Sequence, residues 1–172
     1  VSYTHARSRC ARSHVAQRGS RCPDQHRAWK EISDDLSSSV PMDRLLCGDV
    51  GFGKTEIAMR AAFRVILSGL RVVILAPTTI LANQLYASFR DRLGIHAVNV
   101  ELVSRFRSLK KIKAVQKKIL LENNDVLVGT HSILNNDIYL KNIGLLVIDE
   151  EHRFGVGHKE KIKCFKESVD VL

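Results

Sequence analysis

Three glycines fall within six residues at Gly48, Gly51 and Gly53, and Lys54 and Thr55 follow at once. Ordering glycine is entropically costly, and a flexible spacer has no use for a Lys-Thr pair. Gly48, Gly53, Lys54 and Thr55 fit G-x-x-x-x-G-K-[ST], the spacing of a phosphate-binding loop. Glycines there let several backbone N–H groups converge on one anion. Lys54 would reach the β- and γ-phosphates of ATP, and the Thr55 hydroxyl would ligate Mg²⁺. The structural alternative is a tight turn between two elements. A second cluster complements the first: the apolar run "LLVID" ends in Asp149, Glu150, Glu151 and His152. A carboxylate at such a strand end holds Mg²⁺ opposite the loop threonine, and its neighbour can orient or deprotonate an attacking water. Asp149 is therefore the expected metal residue and Glu150 the expected base, with Glu151 the first substitute. A solvated acidic turn is the plainer alternative.

These residues need positioning elements, and the flanking pattern supplies them. "DRLLCG" is a short apolar run ending at Gly48, and "TEIAMRAAFRVILSG" carries apolar residues at helical spacing with Gly69 as its stop. Strand, glycine loop, helix is the context a phosphate loop requires. Further strands are expected at 71–76, 98–103, 125–129, 144–149 and 169–172. Helices are expected from Pro23, over 78–94 and near 108–122. Apolar runs without alternation argue for strands buried on both faces, hence an α/β fold with a parallel sheet covered by helices on both sides. Such sheets bind ligands at the carboxyl ends of their strands.

The chain of 172 residues suits one domain. It contains no apolar run near the roughly 20 residues that span a bilayer, and its first residues show no secretory pattern, so a cytoplasmic location is expected. Its net charge of +9 is uneven: residues 1–30 hold +6 and residues 31–172 only +3. Residues 1–21, rich in Arg and Ser, read as a basic disordered arm, leaving 22–172 as the folded unit. Residues 104–121 carry Arg105, Arg107 and five lysines with no acid. That is either a phosphate-facing stripe or a solvated helix face. Cys10, His14, Cys22 and His26 have zinc-ligand types, but their spacing matches no usual finger. Reduced thiols are the plain reading of the four cysteines.

"DEEH" at 149–152 resembles the D-E-x-H box of superfamily 2 helicases and translocases. "APTTILANQ" (76–84) resembles their motif Ia and "GTHSIL" (129–134) their motif Ic. "PMDRLLCGDVGFGKTEIAMRAAF", "SRFRS" and "LLVIDEEHRFGVGHKEKIK" are similar to the family of bacterial transcription-repair-coupling factors. The RecG branch-migration helicases are close, but typically have Ser at the place of Phe52 and Gln at that of Glu151. The likeness runs from about Pro23 to Leu172. It implies the first of two RecA-like motor lobes, with ATP bound in the cleft between them and hydrolysis driving movement on double-stranded DNA. It further implies displacement of stalled RNA polymerase and recruitment of excision-repair proteins through domains outside these residues. By the same resemblance Gly51, Gly53, Lys54 and Thr55 form the phosphate loop, and Asp149 and Glu150 the Mg²⁺ and water-activating pair. His152 links hydrolysis to the neighbouring lobe. Gln25, in "PDQ", resembles an adenine-reading glutamine, beside the alternative of an ordinary polar residue opening a helix. Thr78, Thr79, Arg105, Arg107, Thr130 and His131 fall where the family's DNA-facing motifs lie.

The sequence also departs from the family. Residues 1–21 resemble nothing expected before this lobe, "RGSRC" stands where the family usually has an aromatic a few residues before "PDQ", and Gly157 stands where a basic residue is usual. The second lobe with its arginine finger does not fall within the 172 residues, so the isolated chain is expected to bind nucleotide without appreciable turnover. A RecG-like lobe, or a nucleotide- or DNA-binding module without turnover, are the alternatives. A metabolic kinase is disfavoured because no acceptor site is apparent.

Overall fold

The computed structural model describes residues 2–5, 23–48, 51–103, 125–135 and 137–172. In chain order the elements are β1 (Ser2–His5), α1 (Pro23–Asp35), β2 (Arg44–Cys47), α2 (Lys54–Leu67), β3 (Arg71–Leu75) and α3 (Thr79–Leu93). Then come β4 (Val100–Val103), β5 (Val126–Gly129), β6 (Ile143–Ile148), α4 (Val156–Phe165) and β7 (Asp170–Val171). Short 3₁₀ turns occupy Gly94–His96, His131–Asn135, Asp137–Leu140 and Glu151–Arg153.

Five strands make a parallel sheet in the order β4-β5-β3-β6-β7. Successive residues of a strand point to opposite faces, and here both faces are apolar. Val72, Ile74, Val126, Val128, Leu145 and Val147 join one cluster with residues of α1, α2 and α3. Val73, Leu75, Leu127 and Leu146 join the other, with Ile133, Leu134, Phe154 and Ile162. The unalternating runs are thus explained by helices on one side and by α4 with the 3₁₀ turns on the other. Each such aliphatic side chain contributes about 1.5–3 kcal/mol relative to exposure.

α2 forms because Ala58, Met59, Ala61 and Ala62, strong helix formers, also lie on its buried face. It stops at Ser68 and Gly69, whose φ of 77° is a left-handed turn that glycine adopts freely. Arg44 ties β2 to α1 through Glu31 at 2.8 Å and Asp35 at 2.6 Å. β2 meets the five-stranded sheet through one parallel bridge, Asp43 to Val171, in which Val171 N–H donates to Met42 O at 2.7 Å.

Three expectations need correction. Residues 1–21 are not wholly an irregular arm, because Ser2–His5 pairs in parallel with Arg44–Cys47. A ladder is made of backbone groups, so β2's open edge accepts a segment that shows no apolar alternation. The strand expected at 169–172 is two residues long, and that at 98–103 begins only at Val100. α4 was not anticipated, since Gly157, three lysines and one glutamate dilute its apolar signal, and Ile162 is its fully buried anchor. The basic helix expected near 108–122, with Arg105 and Arg107, lies outside the described residues. So do Cys10, His14 and Cys22 of the zinc quartet. His26 is exposed on α1. Among the described residues no helix is long and apolar enough to cross a membrane.

Candidate functional site

Sheet register builds the site. Leu75 pairs with Gly129 on one side and Ile148 on the other, so the three strands end level. Ala76 N–H donates to Gly129 O and Asp149 N–H to Leu75 O, each at 2.9 Å. The segments after β3, β5 and β6 therefore emerge together, bringing Thr78, Thr130 and Asp149 to one edge.

The expected phosphate loop enters α2 beside that edge. Gly51 has φ 84° and Gly53 φ 87°, the left-handed region. Gly53 is the N-cap of α2, with φ 87° and ψ 32°, and Lys54 and Thr55 open the helix. A Cβ on Gly53 would stand 2.7 Å from Gln25 Nε2. A Cβ on Gly48 would stand 2.7 Å from the ring of Phe52, which is itself buried. At Gly48 the buried ring leaves no room for a Cβ; at Gly53 the neighbour is the movable end of Gln25, and the left-handed φ is the stricter demand for glycine. Gln25 Nε2 donates to Phe52 O, which joins α1 to the loop. Lys54 Nζ donates to Gly48 O across the loop. A cavity of about 790 Å³ opens here, with Lys54, Thr55, Asp149, Glu150, Glu151 and Lys159 in its wall.

Burial holds the Asp149 carboxyl above the usual carboxylate range, and the Glu150 charge raises it further; Lys54 and a hydrogen bond from the Glu150 backbone act in the opposite sense. Glu150 sits at φ 52° and ψ 53°, left-handed without being glycine. Arg153 Nε lies 3.1 Å from Glu150 Oε2. Yet Glu150 Oε2 is buried without a properly directed hydrogen bond, so Arg153 neutralises charge without satisfying that lone pair. Two crowded carboxyls with an under-satisfied buried oxygen form a donor set that a hard cation such as Mg²⁺ fits. Glu151 opens the 3₁₀ turn 151–153, and His152 lies within it.

The remaining expected residues scatter around the same edge. Thr78 caps α3, its Oγ1 accepting from Leu81 N–H at 3.2 Å, and Thr79 is the first residue of that helix. Thr130 is only 8% exposed, and its Oγ1 lies 3.1 Å from Ser132 Oγ. Its side chain supports the turn from within. His131 begins the His131–Asn135 turn and stacks 4.2 Å from His158 of α4. Sequence reasoning did not single out Arg153 or His158. The i,i+3 spacing of Glu150 and Arg153 was the available signal for the first. For the second there was none, because α4 itself was hidden.

The family model described as DEAD/DEAH box helicase matches residues 22–170. Transcription-repair-coupling factors of Staphylococcus aureus (strain USA300) and Staphylococcus haemolyticus (strain JCSC1435) are 52% and 51% identical over 150 residues. Those 150 residues are 87% of this chain, which spans about 13% of the length of these relatives. Among solved structures, RecG bound to a three-way DNA junction matches with TM-score 0.73 and 34% identity, over 86% of this chain and 20% of that one. S. cerevisiae Dbp5 matches with TM-score 0.56 and 16% identity, over 84% and 40%, a likeness of fold alone. The parallel sheet flanked by helices is accordingly the RecA-like helicase fold. The match over residues 22–170 shows it: the chain belongs to the DEAD/DEAH box helicase family.

Proposed function

We propose that the chain is the ATP-binding motor lobe of a double-stranded DNA translocase of the transcription-repair-coupling type. The observation that carries this is the shared sheet edge, where Lys54 lies close enough to Asp149 for its charge to act on that carboxyl. Lys54 exchanges the Gly48 carbonyl for the β- and γ-phosphates of ATP. The Gly48–Gly53 backbone wraps the phosphates, and the N-terminus of α2 faces them with its positive dipole end. Thr55 and Asp149 would hold Mg²⁺, which supplies charge neutralisation at the phosphates when bound. Glu150 orients the attacking water and accepts its proton. Gln25 sets the loop from the α1 side and is the candidate adenine reader. His152 is the candidate link to a second lobe.

Double-stranded DNA is the proposed track. Thr79 and the N-terminus of α3, His131, and Arg105 and Arg107 are its proposed contacts, with Thr78 and Thr130 shaping the backbone beneath. Phosphate contacts of this kind bind without reading sequence. The higher identity to transcription-repair-coupling factors than to RecG supports the first over a RecG-like lobe. Action on stalled RNA polymerase and with excision-repair proteins is part of the same proposal, suggested by the relatives' name, and would rest on domains outside these 172 residues.

The test is a titration of a fluorescent ATP analogue with Mg²⁺ into the chain and its Lys54→Ala form. Binding is expected in the first and its loss in the second. Equal affinities defeat the assignment of the loop.

A further inference from the structure

Nothing in the nucleotide or DNA reading accounts for α4, yet this helix touches both regions. Lys159 reaches the wall of the cavity that Lys54, Asp149 and Glu150 also line. The residues beside it point elsewhere. The His158 ring packs 4.2 Å from that of His131, tilted by 48°. One turn on, Lys161 Nζ donates to Asn135 Oδ1 at 2.7 Å. The two contacts grip the His131–Asn135 turn at its first and last residues. Beneath them Ile162 shares one buried cluster with Ile133, Leu134 and Phe154.

The path from the acids to this grip is short. Asp149 and Glu150 lead directly into the Glu151–Arg153 turn, whose backbone closes with Phe154 N–H donating to Glu151 O at 3.1 Å. Phe154 is then buried, and α4 starts after Gly155. Packed clusters of this kind shift as units because they lack room to deform locally. A displacement at Glu150–Arg153 that moves Phe154 also moves α4 and the turn it holds.

Resting on the reading of the lobe as nucleotide- and DNA-binding, we propose that α4 couples its two sites, with His158 and Lys161 as positioning residues for the 130–135 turn. Neither residue touches nucleotide. Their role is to make the pose of the turn depend on what occupies the cavity, so that nucleotide and DNA affinities become linked. Linkage is reciprocal and measurable as one ratio. A clasp that only stabilised the turn would alter melting temperature and leave that ratio alone.

The experiment measures the anisotropy of a labelled DNA duplex against the chain at fixed salt, with and without a saturating non-hydrolysable ATP analogue and Mg²⁺. In the wild type the analogue is expected to change the duplex Kd by at least about fivefold, the lower end of ordinary coupling. In the double variant His158→Ala, Lys161→Ala that ratio falls to about one, while the affinity for the analogue alone changes by less than roughly twofold. His158→Phe, which keeps a stacking ring, retains the ratio. Should the double variant fail to fold, Lys161→Met, which removes the bond to Asn135 together with one positive charge, should lower the ratio by itself. A wild-type ratio in the folded double variant, or in Lys161→Met where that stands in, overturns the proposal. So does a ratio of one in a wild type that binds both ligands. A wild type that binds no nucleotide fails the functional reading first, and the proposal with it.

Discussion

The phosphate loop and the acidic end of β6 face one cavity, and both use left-handed backbone. The loop does so at Gly51 and Gly53, with φ 84° and 87°; the acidic end does so at Glu150, with φ 52°. Glycine takes such angles at no steric cost. A residue with a Cβ is strained there by roughly 1–2 kcal/mol. The difference follows from which atoms do the chemistry. On the proposed function, the loop's backbone N–H groups would be the binding surface, so the side chain is dispensable. On the same proposal, the carboxylate at the end of β6 would be the working group, so the side chain stays and the backbone bears the strain. Strain of this kind concentrates at functional sites when the surroundings over-determine it. The Leu75–Asp149 and Glu150–Arg153 backbone bonds, both at 2.9 Å, fix Glu150 from each side.

The largest expected effect separates two costs within the loop. Gly51 and Gly53 have nearly the same φ, but nothing lies within 4 Å of a Cβ on Gly51, whereas a Cβ on Gly53 would stand 2.7 Å from Gln25 Nε2. Gly51→Ala should cost about 1 kcal/mol, the conformational part alone. Gly53→Ala should cost about twice that, since it also displaces the Gln25 bond to Phe52 O. Urea unfolding followed by circular dichroism reads both. Equal losses would show that Gln25 yields freely and that the loop tolerates the contact.

The contrast also explains what was legible in the sequence. The glycine turn that opens α2 at Lys54 was readable because its left-handed backbone selects glycine at fixed spacing. The parallel sheet was readable because burial on both faces leaves runs such as "RVVIL" without alternation. The left-handed Glu150 was not, since glutamate carries no local signal for that conformation and only the fold imposes it. Nor was β1 readable, because its pairing with β2 is made by groups that every residue possesses. The burial of Thr130 was hidden for another reason: threonine is common both on surfaces and in turns, and only the level ends of β3 and β5 place it inside. α4 disappeared among its lysines because one fully buried residue, Ile162, suffices to seat it on a face already formed by β6 and the 3₁₀ turns.

A smaller effect probes the acidic end directly. Glu150→Gly should raise stability by about 1 kcal/mol over Glu150→Gln, because both lose the charge and the pairing to Arg153 while only glycine relieves the backbone. The Gln form isolates the loss of charge from the relief of strain. Chemical denaturation of the two variants side by side gives the difference. If Glu150→Gly is no more stable than Glu150→Gln, the left-handed angle carries no strain and the comparison between the two regions collapses to one of residue type.

The smallest effect concerns Asp149 and has a definite sign. Burial, then the Glu150 charge, raise its folded-state pKa above the ordinary carboxyl value. Folding therefore favours the protonated form. The stability this contributes is fully present below the unfolded pKa and is lost as pH rises through the raised folded one. At neutral pH the ionised carboxylate burdens the fold, and Asp149→Asn, which keeps the shape and removes the charge, should melt slightly above the wild type. The gap should narrow as pH falls through the raised pKa, where the wild-type carboxyl also becomes neutral. Bound nucleotide with Mg²⁺ should reverse the order, because a ligand that binds only the folded chain stabilises it in proportion to its affinity, and the Asn form lacks the anionic donor. Lys54→Ala should widen the neutral-pH gap, since Lys54 is the charge that eases Asp149's ionisation. Thermal melts across a pH series, with and without Mg²⁺ and an ATP analogue, read all three. An Asn variant that melts below the wild type at neutral pH, or a gap that grows on acidification, would mean that Asp149 is satisfied within the fold, leaving β6 with no more reason than the loop to await a cation.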